Sequence, residues 1–105
     1  MKPVALRDKD LAVLRTTCQR FSAVREVRVF GSRATGTARR ASDLDLAISA
    51  PDATIAEWLD LCDVLENAPL IYELDLVRFE RLTNERLREK IARDGVTVYP
   101  EEAGS

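Results

Sequence analysis

The sequence predicts a single α+β domain in which helices pack on one face of a small mixed β-sheet. The chain has 105 residues and is 46% hydrophobic, which is enough to bury one core and leaves no room for a second. Apolar residues recur at helical spacing in three segments and alternate in four others. The first two alternating segments are too close together for a parallel crossover, so the sheet contains an antiparallel pair. We expect the domain to span residues 1–105, with its core at about 11–99 and loose termini.

Three elements precede the break at Pro51. Residues 10–22 predict a helix whose apolar stripe comprises Leu11, Leu14, Cys18 and Phe21. Residues 25–30 alternate as a half-buried strand, with Val27 and Val29 on one face. Residues 43–49 alternate again and place Asp43 and Asp45 on the face opposite their apolar neighbours.

A second helix begins at a capping box formed by Thr54 and Glu57 and ends at Asn67. Its predicted apolar stripe comprises Ile55, Trp58, Leu59, Cys62 and Leu65. Trp58, Leu59 and Leu65 are interpreted as core residues. Residues 70–79 follow as a strand that carries Asp75.

A third helix is capped by Thr83 or Asn84, turns Leu87 and Ile91 inward and ends at Gly95. Residues 96–99 form a short last strand. The predicted order is therefore helix, strand, strand, helix, strand, helix, strand.

Composition restricts the chemistry and the partners. The net charge of −2 provides no global positive field, so we expect neither direct nucleic-acid binding nor an acidic membrane as partner. The chain contains no histidine, which removes the commonest general base and zinc ligand. Cys18 and Cys62 lack CxxC spacing and are interpreted as buried, reduced thiols. With no apolar run near the roughly 20 residues of a membrane span, the sequence favours a cytoplasmic protein.

Asp43 and Asp45 are candidate metal ligands. Being two residues apart on one strand, they leave the same face with α-carbons about 6.5 to 7 Å apart. Carboxylate oxygens at this separation suit Mg²⁺ or Mn²⁺. The alternative is a pair of exposed carboxylates on the solvated face of the sheet.

Gly31 and Ser32 follow the first strand and are candidate phosphate ligands. A glycine lets backbone N–H groups approach an anion closely, and the serine adds a hydroxyl. The alternative is a plain tight turn. Thr37-Ala38 stands where a Walker A loop needs Lys-Ser/Thr, and Arg33 stands where a dinucleotide fingerprint needs glycine.

Gly31-Ser32, ten further residues and Asp43-Leu44-Asp45 together resemble the Gly-Ser…Asp-x-Asp motif of the DNA polymerase β-like nucleotidyltransferases. With the strand that leads into Gly31, they are similar to the minimal nucleotidyltransferase (MNT) family, over residues 11–99. That family has a third carboxylate on a later strand, and Asp75 matches it. Glu73 is a competing carboxylate on the same strand face.

The resemblance implies a polymerase β-like core and a role for each of these residues. It implies that Asp43, Asp45 and Asp75 are catalytic and hold Mg²⁺ or Mn²⁺, with Asp75 alternatively accepting a proton. The nucleotide-binding residues that it implies are Gly31, Ser32, Arg33 and Ser42. Arg33 adjoins the phosphate turn, where a guanidinium fork suits phosphate.

The resemblance also implies an activity and a partner. The implied activity is a nucleotidyltransferase moving AMP from ATP to a hydroxyl of a partner protein. The implied partner is a small helical HEPN-type toxin in a hetero-oligomer, with this chain as its antitoxin. Two alternatives stay open: a non-catalytic module that neutralises its partner by occlusion, and a nucleotidyltransferase acting on a small aminoglycoside-like molecule.

Overall fold

The computed structural model describes residues 6–31 and 43–100. Within these ranges the elements occur in the predicted order. They are α1 (Asp8–Gln19), β1 (Glu26–Phe30), β2 (Asp43–Ser49), α2 (Ile55–Glu66), β3 (Glu73–Arg78), a 3-10 turn (Phe79–Arg81), α3 (Glu85–Asp94) and β4 (Val96–Tyr99). No helix in the described part of the chain combines the length and the apolar character that crossing a bilayer requires.

The four strands form one mixed sheet in the order β3-β2-β1-β4. β1 is antiparallel to both β2 and β4, whereas β2 and β3 are parallel. The helix α2 lies between β2 and β3 in the chain and provides the crossover that the parallel pair needs. The predicted α+β class with a mixed sheet is confirmed.

The first face of the sheet holds the larger core. Alternation sends Val27 and Val29 of β1 and the leucines of β2 to this face, where they pack with α1 and α2. Leu14 and Cys18 of α1 are fully buried there. Cys18 and Cys62 are both free thiols, and burial raises the pKa of Cys18 to about 11, so that thiol stays protonated at neutral pH.

The second face carries α3, which differs from the prediction that the helices lie on one face. Ile91 is fully buried against Phe30 and Ala47, with Leu87 packed beside them. Phe30 and Ala47 alternate with residues of the larger core and therefore point to the other face. An amphipathic stripe specifies that a helix is buried on one side, but it does not specify which face of a sheet buries it.

The helix ends follow local chemistry. Thr54 accepts a hydrogen bond from the Glu57 amide while Glu57 accepts one from the Thr54 amide, which is the predicted capping box. Asn84, rather than Thr83, caps α3 through the Leu87 amide. Gly95 ends α3 with an ordinary φ of −65°. Glycine is favoured there for space, because a Cβ would meet the Ile91 carbonyl oxygen.

The buried side of α2 is in part the predicted one, since Leu65 is buried and Trp58 packs against the larger core. Leu61 and Leu65 are 2% and 1% exposed, whereas Ile55 and Leu59 are 71% and 61% exposed. Leu59 was therefore wrongly predicted as core. Leu61 lies four residues before Leu65 and therefore shares its side of the helix. Packing against the sheet thus turned the buried side toward Leu61 and away from Leu59.

Candidate active site

Two carboxylates lie side by side on the second face of the sheet. In the parallel pair of β2 and β3, Asp45 is the register partner of Asp75, and Asp43 is the partner of Glu73. Register partners point to the same face, so all four acidic side chains leave the sheet together. The structure thus brings Asp45 and Asp75 together and places Glu73 beside Asp43.

Asp45 has the most perturbed environment of this group. Its side chain is half-buried, whereas Asp43 and Asp75 are exposed. Burial raises the pKa of Asp45, and the charge of Asp75, a hydrogen bond with Asp75 and the charge of Asp43 raise it further. The Lys90 ammonium acts in the opposite direction. The site therefore concentrates negative charge that a cation would neutralise.

Gly31 closes the site from β1. The preceding Phe30 is the register partner of Asp45, and Gly31 has a φ of +73°. That backbone conformation favours glycine. A Cβ at this position would also collide with Oδ2 of Asp45. Glycine is therefore favoured at this position for two reasons: its φ, and the space that the Asp45 carboxylate occupies next to it.

Three of the predicted nucleotide-binding residues lie outside the described residues. These are Ser32, Arg33 and Ser42. Gly31 and the carboxylates on β2 and β3 are the predicted site residues whose positions the structure gives.

Lys90 is a residue near the site that the sequence did not indicate. It lies on α3, next to the buried Ile91, and acts electrostatically on Asp45. Its position in the sequence, between Glu89 and Ile91, is that of an ordinary surface lysine on an amphipathic helix. Its proximity to the carboxylates depends on α3 packing on the second face.

The donor set suits a hard divalent cation that arrives with a phosphate ligand. Within residues 6–31 and 43–100, no three acidic, cysteine or histidine side chains form a metal cage by themselves. Mg²⁺, however, is usually held by one or two carboxylates together with water and substrate phosphates, rather than by a cage made only of protein groups. The juxtaposed Asp45 and Asp75 fit that mode of binding.

Comparison with known proteins identifies the class and then the narrower group. Residues 12–103 match the family model described as Polymerase beta, Nucleotidyltransferase, so the chain belongs to the polymerase β nucleotidyltransferase family. A solved structure described as a minimal nucleotidyltransferase is 37% identical, with a TM-score of 0.64, and the match covers 84% of this chain and 87% of that one. The chain is thus a member of the minimal nucleotidyltransferases, which confirms the resemblance seen in the sequence.

Two further solved structures share the fold. A toxin-antitoxin crystallised with AMP-PNP gives a TM-score of 0.69 at 22% identity, covering 86% of this chain and 73% of that chain. A mutant of the toxin-antitoxin MntA-HpeT gives a TM-score of 0.66 at 18% identity, covering 90% of this chain and 73% of that chain. At these identities the likeness concerns the fold. Comparison with curated proteins gives no match.

Proposed function

We propose that this protein is a Mg²⁺-dependent nucleotidyltransferase that moves AMP from ATP to a hydroxyl of a partner protein. The observation that carries the proposal is the pairing of Asp45 with Asp75 across two parallel strands, with the Asp45 carboxylate packed against Gly31, where a Cβ would collide with it. A pure binding module has no need of converging, mutually repelling carboxylates. The membership of the nucleotidyltransferase family supports the same reading.

Asp43, Asp45 and Asp75 are the residues that would hold Mg²⁺ or Mn²⁺ together with phosphate oxygens of the nucleotide. When bound, the metal supplies neutralisation of charge on the phosphates. Gly31, with Ser32, would cradle the β- and γ-phosphates, since a glycine lets backbone N–H groups approach an anion closely. Arg33 and Ser42 complete the nucleotide-binding set proposed from the sequence.

The reaction is an in-line displacement at the α-phosphorus. The acceptor hydroxyl oxygen bonds to the α-phosphorus, while the bond from that phosphorus to the oxygen bridging to the β-phosphate breaks. Pyrophosphate leaves with the electron pair. Asp75 takes the hydroxyl proton, since it is exposed beside Asp45 and accessible to an acceptor. If Asp75 serves as a ligand instead, the proton passes to solvent water. Positioning of the two reactants supplies most of the catalysis in such transfers.

The partner that we propose is a HEPN-type toxin, with this chain as its antitoxin. The support is that two structures with the same fold are described as toxin-antitoxin complexes, one of them with AMP-PNP. A protein acceptor also suits a site whose Asp43 and Asp75 side chains are exposed.

The test is transfer of AMP to the protein encoded next to this one. Incubation with ATP and Mg²⁺ should add the mass of AMP to that protein, measured by intact mass spectrometry. Asp45→Asn and Asp75→Asn should abolish the transfer. Asp60→Asn is the matched control, because Asp60 is exposed on α2, away from the second face. No transfer by the wild-type protein, with metal and partner verified, contradicts the proposal.

One observation favours the occlusion alternative. Ile55 and Leu59 expose apolar surface four residues apart on α2, and this surface has no role in the transfer reaction. If the double variant Asp43→Ala with Asp45→Ala protects cells from the partner as well as the wild type does, neutralisation proceeds by binding alone. If Ile55→Ser with Leu59→Ser loses protection while transfer is retained, both functions are present.

A further inference from the structure

The side of α3 that faces the carboxylates can be identified from its packing. Leu87 and Ile91 form the buried stripe. Arg88 lies over the ring of Phe79, 5.3 Å from its centroid. Phe79 is the residue that immediately follows the end of β3. Asp75 lies nearer the beginning of β3. Because positions 86 and 90 fall on the other side of the Leu87–Ile91 stripe from position 88, they face the end of the sheet that carries the carboxylates.

That side of α3 is basic. Arg86 and Lys90 are four residues apart, both exposed, and therefore adjacent along the helix. The influence of Lys90 on Asp45 agrees with this orientation. We call Arg86 and Lys90 the basic edge of α3. Because Ile91 packs against Phe30 and Ala47, this edge lies on the same face of the sheet as the four acidic side chains of β2 and β3.

A lysine beside a metal site would have two different effects. Toward a divalent cation held by Asp45 and Asp75 it is a like charge and opposes binding. Toward the phosphates brought by that cation it is an opposite charge, and a lysine ammonium is a compact donor for phosphate oxygens. If Lys90 were only a counter-charge for the carboxylates, it would become unfavourable once the metal bound.

We propose that Lys90, supported by Arg86, binds the triphosphate of the donor nucleotide from the α3 side of the site. This inference rests on the proposed nucleotidyltransferase function and adds a phosphate ligand that the Gly-Ser…Asp-x-Asp motif does not contain. In the absence of nucleotide, Lys90 balances the negative charge of the carboxylates. In its presence, the ammonium turns from Asp45 to a phosphate oxygen.

The experiment measures binding to the whole protein by titration calorimetry with three probes: AMP-PNP with Mg²⁺, pyrophosphate with Mg²⁺, and adenosine. Lys90→Gln should lower the affinity for AMP-PNP and for pyrophosphate about ten- to a hundredfold, which is the range for one charge-assisted hydrogen bond. Adenosine binding should not change. Lys90→Arg should restore most of the affinity. Lys9→Gln is the matched control, since Lys9 is an exposed lysine on α1, which packs with the larger core on the first face.

A second measurement separates phosphate binding from a counter-charge role. The melting-temperature rise given by Mg²⁺ alone should be equal or larger in Lys90→Gln, because a like charge has been removed. The inference is supported if Lys90→Gln binds AMP-PNP more weakly than the wild type but binds Mg²⁺ equally well or more tightly. Unchanged AMP-PNP affinity in Lys90→Gln overturns it, including the case in which only transfer to the acceptor is lost. Failure of the wild-type protein to bind AMP-PNP with Mg²⁺ contradicts the proposed function itself.

Discussion

Gly31→Ala tests the geometry that joins β1 to the carboxylates. Gly31 has a φ of +73°, and a Cβ there would collide with Oδ2 of Asp45. The substitution adds one methyl group and changes no charge. It should therefore destabilise the protein for two separable reasons, one in the backbone of Gly31 and one in the side chain of Asp45.

The magnitude follows from three contributions. A left-handed φ costs an alanine about 1 to 2 kcal/mol. Forcing the Asp45 side chain away from its rotamer adds about 0.5 to 1.5 kcal/mol. Alanine also lowers the conformational entropy of the unfolded chain, which offsets about 0.4 to 1 kcal/mol of this loss of stability. The net loss should be about 2 kcal/mol, which lowers the melting temperature of a domain this size by roughly 10 °C.

A double-mutant cycle separates the two causes. Gly31→Ala is measured by urea denaturation in the wild type and in Asp45→Ala, where Oδ2 is absent. The substitution should cost about 1 kcal/mol less in the Asp45→Ala background, because only the backbone strain remains. Equal costs in both backgrounds would refute the collision. A cost below about 0.5 kcal/mol in the wild type would refute the left-handed backbone as well.

Three further perturbations test the site and the core beneath it. Mg²⁺ or Mn²⁺ at a hundredfold excess over Kd should stabilise the protein by about 2.7 kcal/mol, which raises the melting temperature by about 10 °C. In scanning fluorimetry, Asp45→Asn should lose most of this rise, whereas Asp60→Asn should keep it. Because the pKa of Asp45 in the folded protein lies above its ordinary value, the folded state retains that proton to higher pH than the unfolded chain. The stability of the metal-free protein should therefore fall as pH rises through the raised pKa, and Asp45→Asn should remove this part of the dependence in urea titrations at successive pH values. Arg78→Met should cost about 3 kcal/mol in urea denaturation, because Arg78 is largely buried and donates to the carbonyl oxygens of Ala50 and Ala53; Arg81→Met, at an exposed position, should change stability little, and equal losses would contradict the account.

Asp45 and Asp75 show where local and non-local information divide. Alternation along a single strand fixes that Asp43 and Asp45 share a face, so the sequence predicted that pair. The sequence left open whether Glu73 or Asp75 supplies the third carboxylate, because both alternate onto the same face of β3. The register decided their neighbours, placing Asp75 beside Asp45 and Glu73 beside Asp43. Register depends on hydrogen bonds and packing between strands that are distant in sequence.

The same distinction between local and non-local information applies to the helices. The sequence by itself determined where α2 and α3 begin, because Thr54, Glu57 and Asn84 act on backbone groups within three residues of themselves. The first helix has no side-chain cap and spans Asp8–Gln19 rather than the predicted 10–22. Together with the Gly-Ser…Asp-x-Asp motif, this local chemistry sufficed for the order of elements and the family. Only the tertiary structure decided that Leu61 rather than Leu59 is buried in α2, and that α3 packs on the second face, beside the carboxylates. An apolar stripe records how much of a helix is to be buried, but the surface that buries it is built by residues elsewhere in the chain. Lys90 therefore reads as an ordinary surface lysine in the sequence and becomes a neighbour of Asp45 only in the fold.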